Sequence, residues 1–438
     1  MAVGAKAQDK RELVSRSRRG RTAPDYVLLL AVAGLVIVGL MMVYSATFDW
    51  SYQAHRDSFR IASKQFLWVG LGLVAMVVVA AVPYDWWQRV AVPVMAGGLL
   101  LLILVLIAGE DRFGARRSFF DGSVQPSELV KLVMLIYVAA WLASKGEQIR
   151  DVTYGLIPFA VLIGVVAGLI VMQPDVSTAV LVVLTALAMF FFAGADIFQL
   201  AVGGAIGGVT FLLLVNQLPH ARHRIDEYLA VWHDPRRLGY HMQQALIALG
   251  SGGLFGVGLG QSQQKFGYLP TPHTDSIFAV LGEELGFVGC LVVITLFFLL
   301  AYRGFKIALE ASDAFAALLA CGITCWLTFQ ALINVAVMTG LIPFTGVALP
   351  FISSGGSAML ASLSGVGLLL SISQGKRTGK VSRAARRADW QSALQRAQGK
   401  GGRQGGRRGN RQRANLDRRW GNRRTRLSRS GRRTGTRS

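Results

Sequence analysis

Seven ionisable side chains of this 438-residue sequence fall in or at the edge of long apolar runs: Lys64, Glu128, Lys131, Asp175, Asp275, Glu283 and Glu284. Charge in such places is costly, and it marks either function or a paired structural contact. Glu128 and Lys131 are three residues apart, so they share a helical face and can pair. Lys131 is surrounded by Leu, Val and Met, which leaves no solvated reading for it. Asp275, within His273-Thr274-Asp275-Ser276, is either a helix N-cap that satisfies free backbone N–H groups or a functional carboxylate. Glu128 follows Pro126 in a first helical turn, where negative charge suits the helix dipole. Asp175, after Gln173-Pro174, has a similar position. Glu283 and Glu284 lie eight and nine residues beyond Asp275, about 12–13 Å deeper along a continuous helix. They could be protonated, paired or part of a relay. The pattern fits an enzyme site or a translocation path.

The elements that must position these groups are membrane helices. The chain is 53% hydrophobic and 16% charged, whereas soluble domains carry about 25% charged residues. Apolar segments occur near 26–46, 66–83, 90–109, 129–143, 155–172, 176–194, 197–215, 276–302, 314–338 and 357–374. Around 20 apolar residues cross a bilayer core of about 30 Å. The expected fold is an all-α polytopic membrane protein of about ten spans, with a long extracytoplasmic loop, 216–275, between the seventh and eighth. The stretch 341–352, with two prolines, is a candidate re-entrant segment. In a ten-span chain, the second, fourth, sixth and eighth helices enter from the same side. Their entry ends carry Lys64, Glu128 with Lys131, Asp175, and Asp275. One face of the bundle therefore gathers carboxylates and cations.

The net charge of +22 belongs to the tails. Residues 376–438 hold 22 Lys/Arg against 2 acids, and residues 1–25 hold 7 against 3. The positive-inside rule places both ends in the cytoplasm. The divisions are a basic segment 1–25, a membrane domain 26–375, and an Arg/Gly-rich tail 376–438 too poor in apolar residues to fold. The tail's readings are a solvated topology anchor, attraction to anionic lipid, or contact with an acidic partner. No nucleic-acid module is visible, and no nucleic-acid partner is expected. Cys290, Cys321 and Cys325 lie in apolar runs and read as packing residues, not a disulfide framework or metal site. The glycine-rich run Gly250–Gly260 contains no GK[ST] and reads as a flexible or tightly packed loop. The first apolar run is about 21 residues with no small-residue cleavage site after it, so it reads as a span and not a cleavable signal.

The stretch Gly250–Gly289 (GSGGLFGVGLGQSQQKFGYLPTPHTDSIFAVLGEELGFVG) resembles the FtsW/RodA family, the SEDS proteins. So do Gln125–Leu132 (QPSELVKL), Gln173–Ala179 (QPDVSTA) and Gln330–Gly356 (QALINVAVMTGLIPFTGVALPFISSGG). The likeness covers about residues 24–375, and GQSQQKFGYLPTPHTD looks closer to the FtsW division branch. The resemblance implies ten spans with cytoplasmic ends in the bacterial cytoplasmic membrane. It also implies polymerisation of lipid II, the undecaprenyl-diphosphate-linked disaccharide peptide, into β-1,4 glycan strands at the outer face, for septal wall synthesis. The family's essential aspartate falls on Asp275, and its Gln-Pro-Ser-Glu…Lys residues fall on Glu128 and Lys131. Lys64, Asp175, His273, Ser353, Gly355 and Gly356 are the matching candidates for substrate binding. Ser276 stands where relatives usually have Phe, and Ser354 where they usually have Tyr. A class B penicillin-binding protein transpeptidase and other division proteins are the implied partners.

If an acceptor 4-hydroxyl attacks C1 of a sugar diphosphate, the hydroxyl needs a base within about 3 Å, and Asp275 is the choice. The diphosphate needs cations: Lys131, a basic residue of the outer loops, or a divalent ion. No other cofactor is expected. Glu128 and Lys131 would orient or neutralise the reacting groups. The rival reading is a lipid II flippase, for which Glu283 and Glu284 would extend a polar path.

Overall fold

The computed structural model describes residues 23–112, 115–119, 124–233 and 239–375. Most of the basic segment 1–25 and the tail 376–438 lie outside them.

The apolar runs fold as helices because a backbone in lipid must satisfy its own hydrogen bonds. They are α1 (Tyr26–His55), α2 (Arg60–Ala81), a short α3 (Tyr84–Arg89), α4 (Ala91–Ala108), α5 (Pro126–Lys145), α6 (Ile157–Val171), α7 (Val176–Phe192) and α8 (Ile197–Gln217). The loop helices α9 (Pro219–His233) and α10 (Tyr240–Ser251) follow, then α11 (Ile277–Leu309), α12 (Ala314–Met338) and α13 (Gly356–Gly375). Among the described residues, nine helices are long and apolar enough to span. The 17-residue α7 makes the tenth, at the lower limit of spanning length. Aspartates begin several of them. Asp25, Asp175, Asp196 and Asp313 each accept a backbone N–H of the first turn, satisfying donors that a helix start leaves open. One departure from an all-helical chain is a small antiparallel hairpin, β1 (Glu110–Arg112) with β2 (Ala115–Ser118), between α4 and α5.

Contacts between connections sort into two ends, as ten alternating crossings require. At one end Arg303 Nε donates to both carboxylate oxygens of Asp25 at 3.1 Å, and the Tyr84 hydroxyl donates to Asp313 at 2.8 Å. Ser371 there donates to the Val82 carbonyl, and Gln199 to the Arg150 carbonyl. At the other end Gln173 reaches the Leu102 carbonyl, Gln125 reaches Asp175, and Ser45 reaches Glu284. The core is built around α12 and α13, the most enclosed spans, while α8 buries only Gln199 and Val215.

The segment 341–355 between α12 and α13 is irregular and turns back into the bundle, as its prolines suggest. It reaches the middle of α1. A Cβ on Gly39 would stand 2.3 Å from the Phe351 carbonyl oxygen, so only glycine fits there. Val347, Leu349, Phe351 and Ile352 are buried. Irregular backbone at membrane depth survives where protein satisfies it, and here side chains of α12 do so.

α11 is not continuous. Gly286 has φ 69° and ψ −167°, which breaks the helix. The remainder, 287–309, is about 34 Å long at 1.5 Å per residue and spans alone. Glu283 and Glu284 lie on the short helical stretch just before this break. The glycine-rich run clasps the break. Val257 N–H donates to the Glu283 carbonyl, Gly258 N–H to Glu284, and Phe287 and Val288 N–H to Gly253 and Leu254. The run is tightly packed: a Cβ on Gly256 would stand 2.1 Å from the Glu284 carbonyl oxygen.

Candidate active site

Two amide side chains four residues apart on α12, Gln330 and Asn334, organise the end of the bundle that carries the re-entrant segment. Both are buried. Gln330 donates to the Ala348 carbonyl at 2.9 Å, and Asn334 to the Val347 carbonyl at 2.7 Å. Together they hold the re-entrant segment. Asn334 spends its second N–H on the Asp275 carbonyl at 2.8 Å, joining the Asp275 turn to the same frame. The sequence reading singled out charges and passed over these amides. Their signal was present, as polar side chains at i and i+4 in an apolar run.

Asp275 precedes α11, and the N-cap position falls one residue later on Ser276. The Asp275 carboxylate lies against Gly346 of the re-entrant segment, where an added Cβ would be 3.3 Å from Oδ2. The turn is stapled on each side. Ser353 Oγ donates to the Thr274 carbonyl at 2.7 Å and accepts the Leu349 N–H at 2.8 Å. Ser354 N–H donates to the His273 carbonyl at 2.9 Å. Ser276 Oγ donates to the Pro270 carbonyl at 3.0 Å and lies 2.6 Å from His241 Nε2. Because that hydroxyl's proton is engaged, His241 is the donor of this pair.

The His273 ring packs on Trp50 with centroids 4.9 Å apart, and its Nδ1 is buried without a partner. Burial pushes its pKa down to about 4, so it is neutral near pH 7. His241 is also lowered to about 4, first by burial and then by the charge of Arg224.

Lys131 Nζ lies 2.9 Å from Glu128 Oε1, as the i,i+3 spacing predicts, and donates to Gln330 Oε1 at 3.2 Å. The pair is occluded, with side-chain exposures of 3% and 11%. Trp326 Nε1 donates to the same Gln330 oxygen at 2.9 Å, and the Lys131 ammonium sits 5.5 Å from a Trp326 ring centroid. Glu128 Oε2 has no hydrogen-bond partner. The ion pair thus braces Gln330, and through it the carbonyl of Ala348.

The remaining candidates fall into different places. Asp175 caps α7 through Thr178 N–H at 3.1 Å and accepts from Gln125 Nε2 at 2.9 Å, fixing the residue before α5. Ser353 is buried with its hydroxyl fully used, and Gly355 N–H donates to Gln65 at 3.3 Å. Gly356 is a packing position: a Cβ there would be 2.3 Å from the Trp68 ring. Lys64 is exposed on α2, next to Gln65, and is not drawn into this cluster. Glu283 and Glu284 are engaged by one loop. Glu283 accepts from the Ser262 hydroxyl and the Gln263 N–H, and Glu284 from Ser45 and from Lys265 Nζ at 2.9 Å. The cysteines are free, with Cys321 and Cys325 sulfurs 4.0 Å apart.

Comparison with known proteins bears on this arrangement. Residues 26–378 match the FtsW/RodA/SpoVE family, described as cell cycle proteins. The chain belongs to that family. Stage V sporulation protein E of Bacillus subtilis is 42% identical over 361 residues, covering 82% of this chain and 99% of that protein. A probable peptidoglycan glycosyltransferase FtsW of Trichlorobacter lovleyi is 38% identical over 355 residues, covering 80% and 93%. Among solved structures, a chain of a peptidoglycan synthase complex that coordinates polymerization and crosslinking matches with TM-score 0.67 at 30% identity, covering 81% of this chain and 98% of that one. The rod shape determining protein RodA of Thermus thermophilus matches with TM-score 0.60 at the same identity and coverage. This FtsW/RodA-family chain is a multi-pass membrane protein.

Proposed function

We propose that this chain polymerises lipid II into β-1,4 glycan strands at the outer face of the bacterial cytoplasmic membrane, with Asp275 as general base. The chain is a peptidoglycan glycosyltransferase acting in cell division. The observation that carries the assignment of the base is the placement of Asp275. It stands ahead of α11 with its carboxylate against the re-entrant Gly346, and Asn334 and Ser353 hold its turn from either side. A carboxylate fixed in this way meets the geometric demand on a base before any demand on its proton affinity.

The acceptor's 4-hydroxyl oxygen bonds to C1 of the donor sugar. The C1–O bond to the diphosphate breaks with its electron pair, and the hydroxyl proton passes to Asp275. Attack opposite the leaving group inverts an α-linked donor to a β product, as in inverting glycoside chemistry. Glu128 and Lys131 act through Gln330 by fixing the floor beneath Asp275. His273, Ser353 and Gly355 shape the turn, and Lys64 meets the substrate from α2. Asp175 secures Gln125 at the start of α5.

Both termini are cytoplasmic in this reading, and the septum is the site of action. Segment 1–25 and tail 376–438 flank the catalytic domain 26–375 as basic cytoplasmic extensions. A class B penicillin-binding protein cross-links the strands, and other division proteins recruit the pair. The polar path that a flippase needs loses its inner members, because Glu283 and Glu284 are both engaged by the loop over α11.

The test is glycan-strand synthesis from purified lipid II, with and without the transpeptidase, by wild type, Asp275→Asn and Asp275→Ala. Loss of polymer in both folded variants is expected. Near-normal polymer from either would remove Asp275 from the role.

A further inference from the structure

The leaving diphosphate requires a cation, and the two buried lysines near the Asp275 turn are committed elsewhere. Lys131 is closed on Glu128. Lys265 is buried against Glu284, with side-chain exposures of 5% and 0%. Arg224 of α9 is different. It is exposed, and its guanidinium lies over the face of Phe344, 5.2 Å from the ring centroid. Its neighbours Arg222 and His223 face Asp226 and Glu227 one turn on. Among the described residues, no carboxylate lies within ion-pair distance of Arg224.

Phe344 ties Arg224 to the Asp275 turn in two ways. Its ring packs on His241 with centroids 3.9 Å apart, and His241 holds Ser276, the residue after Asp275. Phe344 also precedes by two residues Gly346, on which the Asp275 carboxylate rests, a separation of at most about 7 Å. α9 is anchored over the same segment, since the Tyr228 hydroxyl donates to the Leu341 carbonyl at 2.7 Å.

We propose that Arg224 binds the diphosphate of the donor substrate, on the far side of the reacting carbon from Asp275. The inference rests on the glycosyltransferase reading. Displacement with inversion fixes the spacing. The base lies about 3 Å from the attacking oxygen, that oxygen starts about 3–3.5 Å from C1, and the diphosphate begins one bond beyond. Base and phosphate-binding cation are thus on the order of 10 Å apart, and the Phe344–Gly346 segment carries the guanidinium near one end and the Asp275 carboxylate near the other. As the C1–O bond breaks, its electron pair adds a negative charge to the polyprenyl diphosphate. A guanidinium held over an aromatic ring spends none of its N–H donors on a carboxylate and can offer two of them to phosphate oxygens. His241, neutral near pH 7, brings no competing cation to the position.

The experiment uses full-length protein in nanodiscs carrying Asp275→Asn, so that binding is read apart from turnover by the proposed base. Undecaprenyl diphosphate and undecaprenol are the probes. Adding Arg224→Gln should weaken diphosphate binding by about tenfold or more and leave undecaprenol binding unchanged. Arg224→Lys should lose less, and Arg222→Gln less than twofold. Diphosphate binding by Arg224→Gln equal to that of its parent would overturn the inference. So would an equal loss toward undecaprenol, which reports a damaged fold. In the otherwise wild-type chain, Arg224→Gln should lower the polymerisation kcat, with partial rescue by Lys. The two readings fail separately: a wild type that binds diphosphate through Arg224 but never joins two units defeats the glycosyltransferase reading alone.

Discussion

Replacing Lys131 by Met isolates the energetics of the buried ion pair. The substitution keeps the length of the apolar stem and removes the ammonium. Glu128 Oε1 then loses its 2.9 Å partner, while Oε2 has none to begin with. A buried charge stripped of its partner costs about 3–5 kcal/mol. Gln330 keeps its contacts with Trp326 and Ala348, so the loss is electrostatic and not a collapse of the re-entrant segment. Glu128→Gln alone strands the ammonium and carries a similar cost. Glu128→Gln with Lys131→Met leaves no buried charge and regains most of the loss. Heating each variant in detergent with a thiol-reactive dye provides the readout, because Cys290, Cys321 and Cys325 are free and buried and label only on unfolding. The expected order is wild type, double variant, then the two singles, with singles lower by about 5 °C. A Lys131→Met transition within about 1 °C of wild type, or a double variant no better than that single, would refute the reasoning. Polymerisation by the folded double variant then separates roles: lost activity places the pair in the reaction, and retained activity confines it to the fold.

Two further outcomes follow from the same geometry. Gly256→Ala places a methyl 2.1 Å from the Glu284 carbonyl oxygen at a residue whose φ is +82°, so monodisperse yield should collapse, while Gly250→Ala, with nothing within 4 Å, should purify normally; equal yields would disprove the clasp. His241 and His273 both titrate near 4 in the folded chain against about 6.5 unfolded, so the unfolded state binds more protons between these values, and stability should fall as pH drops from 6.5 toward 4 and be flat above. The slope is at most about 1.4 kcal/mol per pH unit for each histidine, and less for the more open His241. Melting curves at pH 7, 6 and 5 should converge in a His241→Gln, His273→Gln variant, and an unchanged slope there would assign the effect elsewhere.

The spans were legible because a bilayer imposes a length on apolar runs, and even the short α7 meets it. The Glu128–Lys131 pair was legible because helical spacing alone brings positions three apart together. Other features depended on tertiary context. Capping shifts by a single residue with the φ/ψ of one turn, so nothing in the string His273–Ser276 could decide between Asp275 and Ser276 as N-cap. The break in α11 needed the run Gly250–Gly260 as a partner, and its glycines read as a loop only until they were seen against Gly286. Gln330 and Asn334 carry no charge, and their spacing in an apolar helix does not name their carbonyl partners, which lie 18, 13 and 59 residues away. Arg224 was one basic residue among five in the 216–275 loop. Its distinction is that no carboxylate among the described residues pairs with it, which is a property of packing.

The two ends of the bundle differ in how their charges are spent, and this difference argues for chemistry at one of them. At the end that holds the start of α1, Asp25 is matched by Arg303, and Asp313 by the Tyr84 hydroxyl, pairs that join neighbouring helices. At the opposite end the buried cations are likewise matched, Lys131 to Glu128 and Lys265 to Glu284. Those pairs fix a frame and are not open to an incoming charge. The frame in turn supports the Asp275 turn through Asn334 and Ser353, while the Arg224 guanidinium stands exposed on Phe344 at the rim of the same segment. A frame that is already neutral can hold reacting groups without reorganising when charge moves between them. The cost of burying two ion pairs is then the cost of keeping a proton acceptor and a phosphate-binding cation at a set distance.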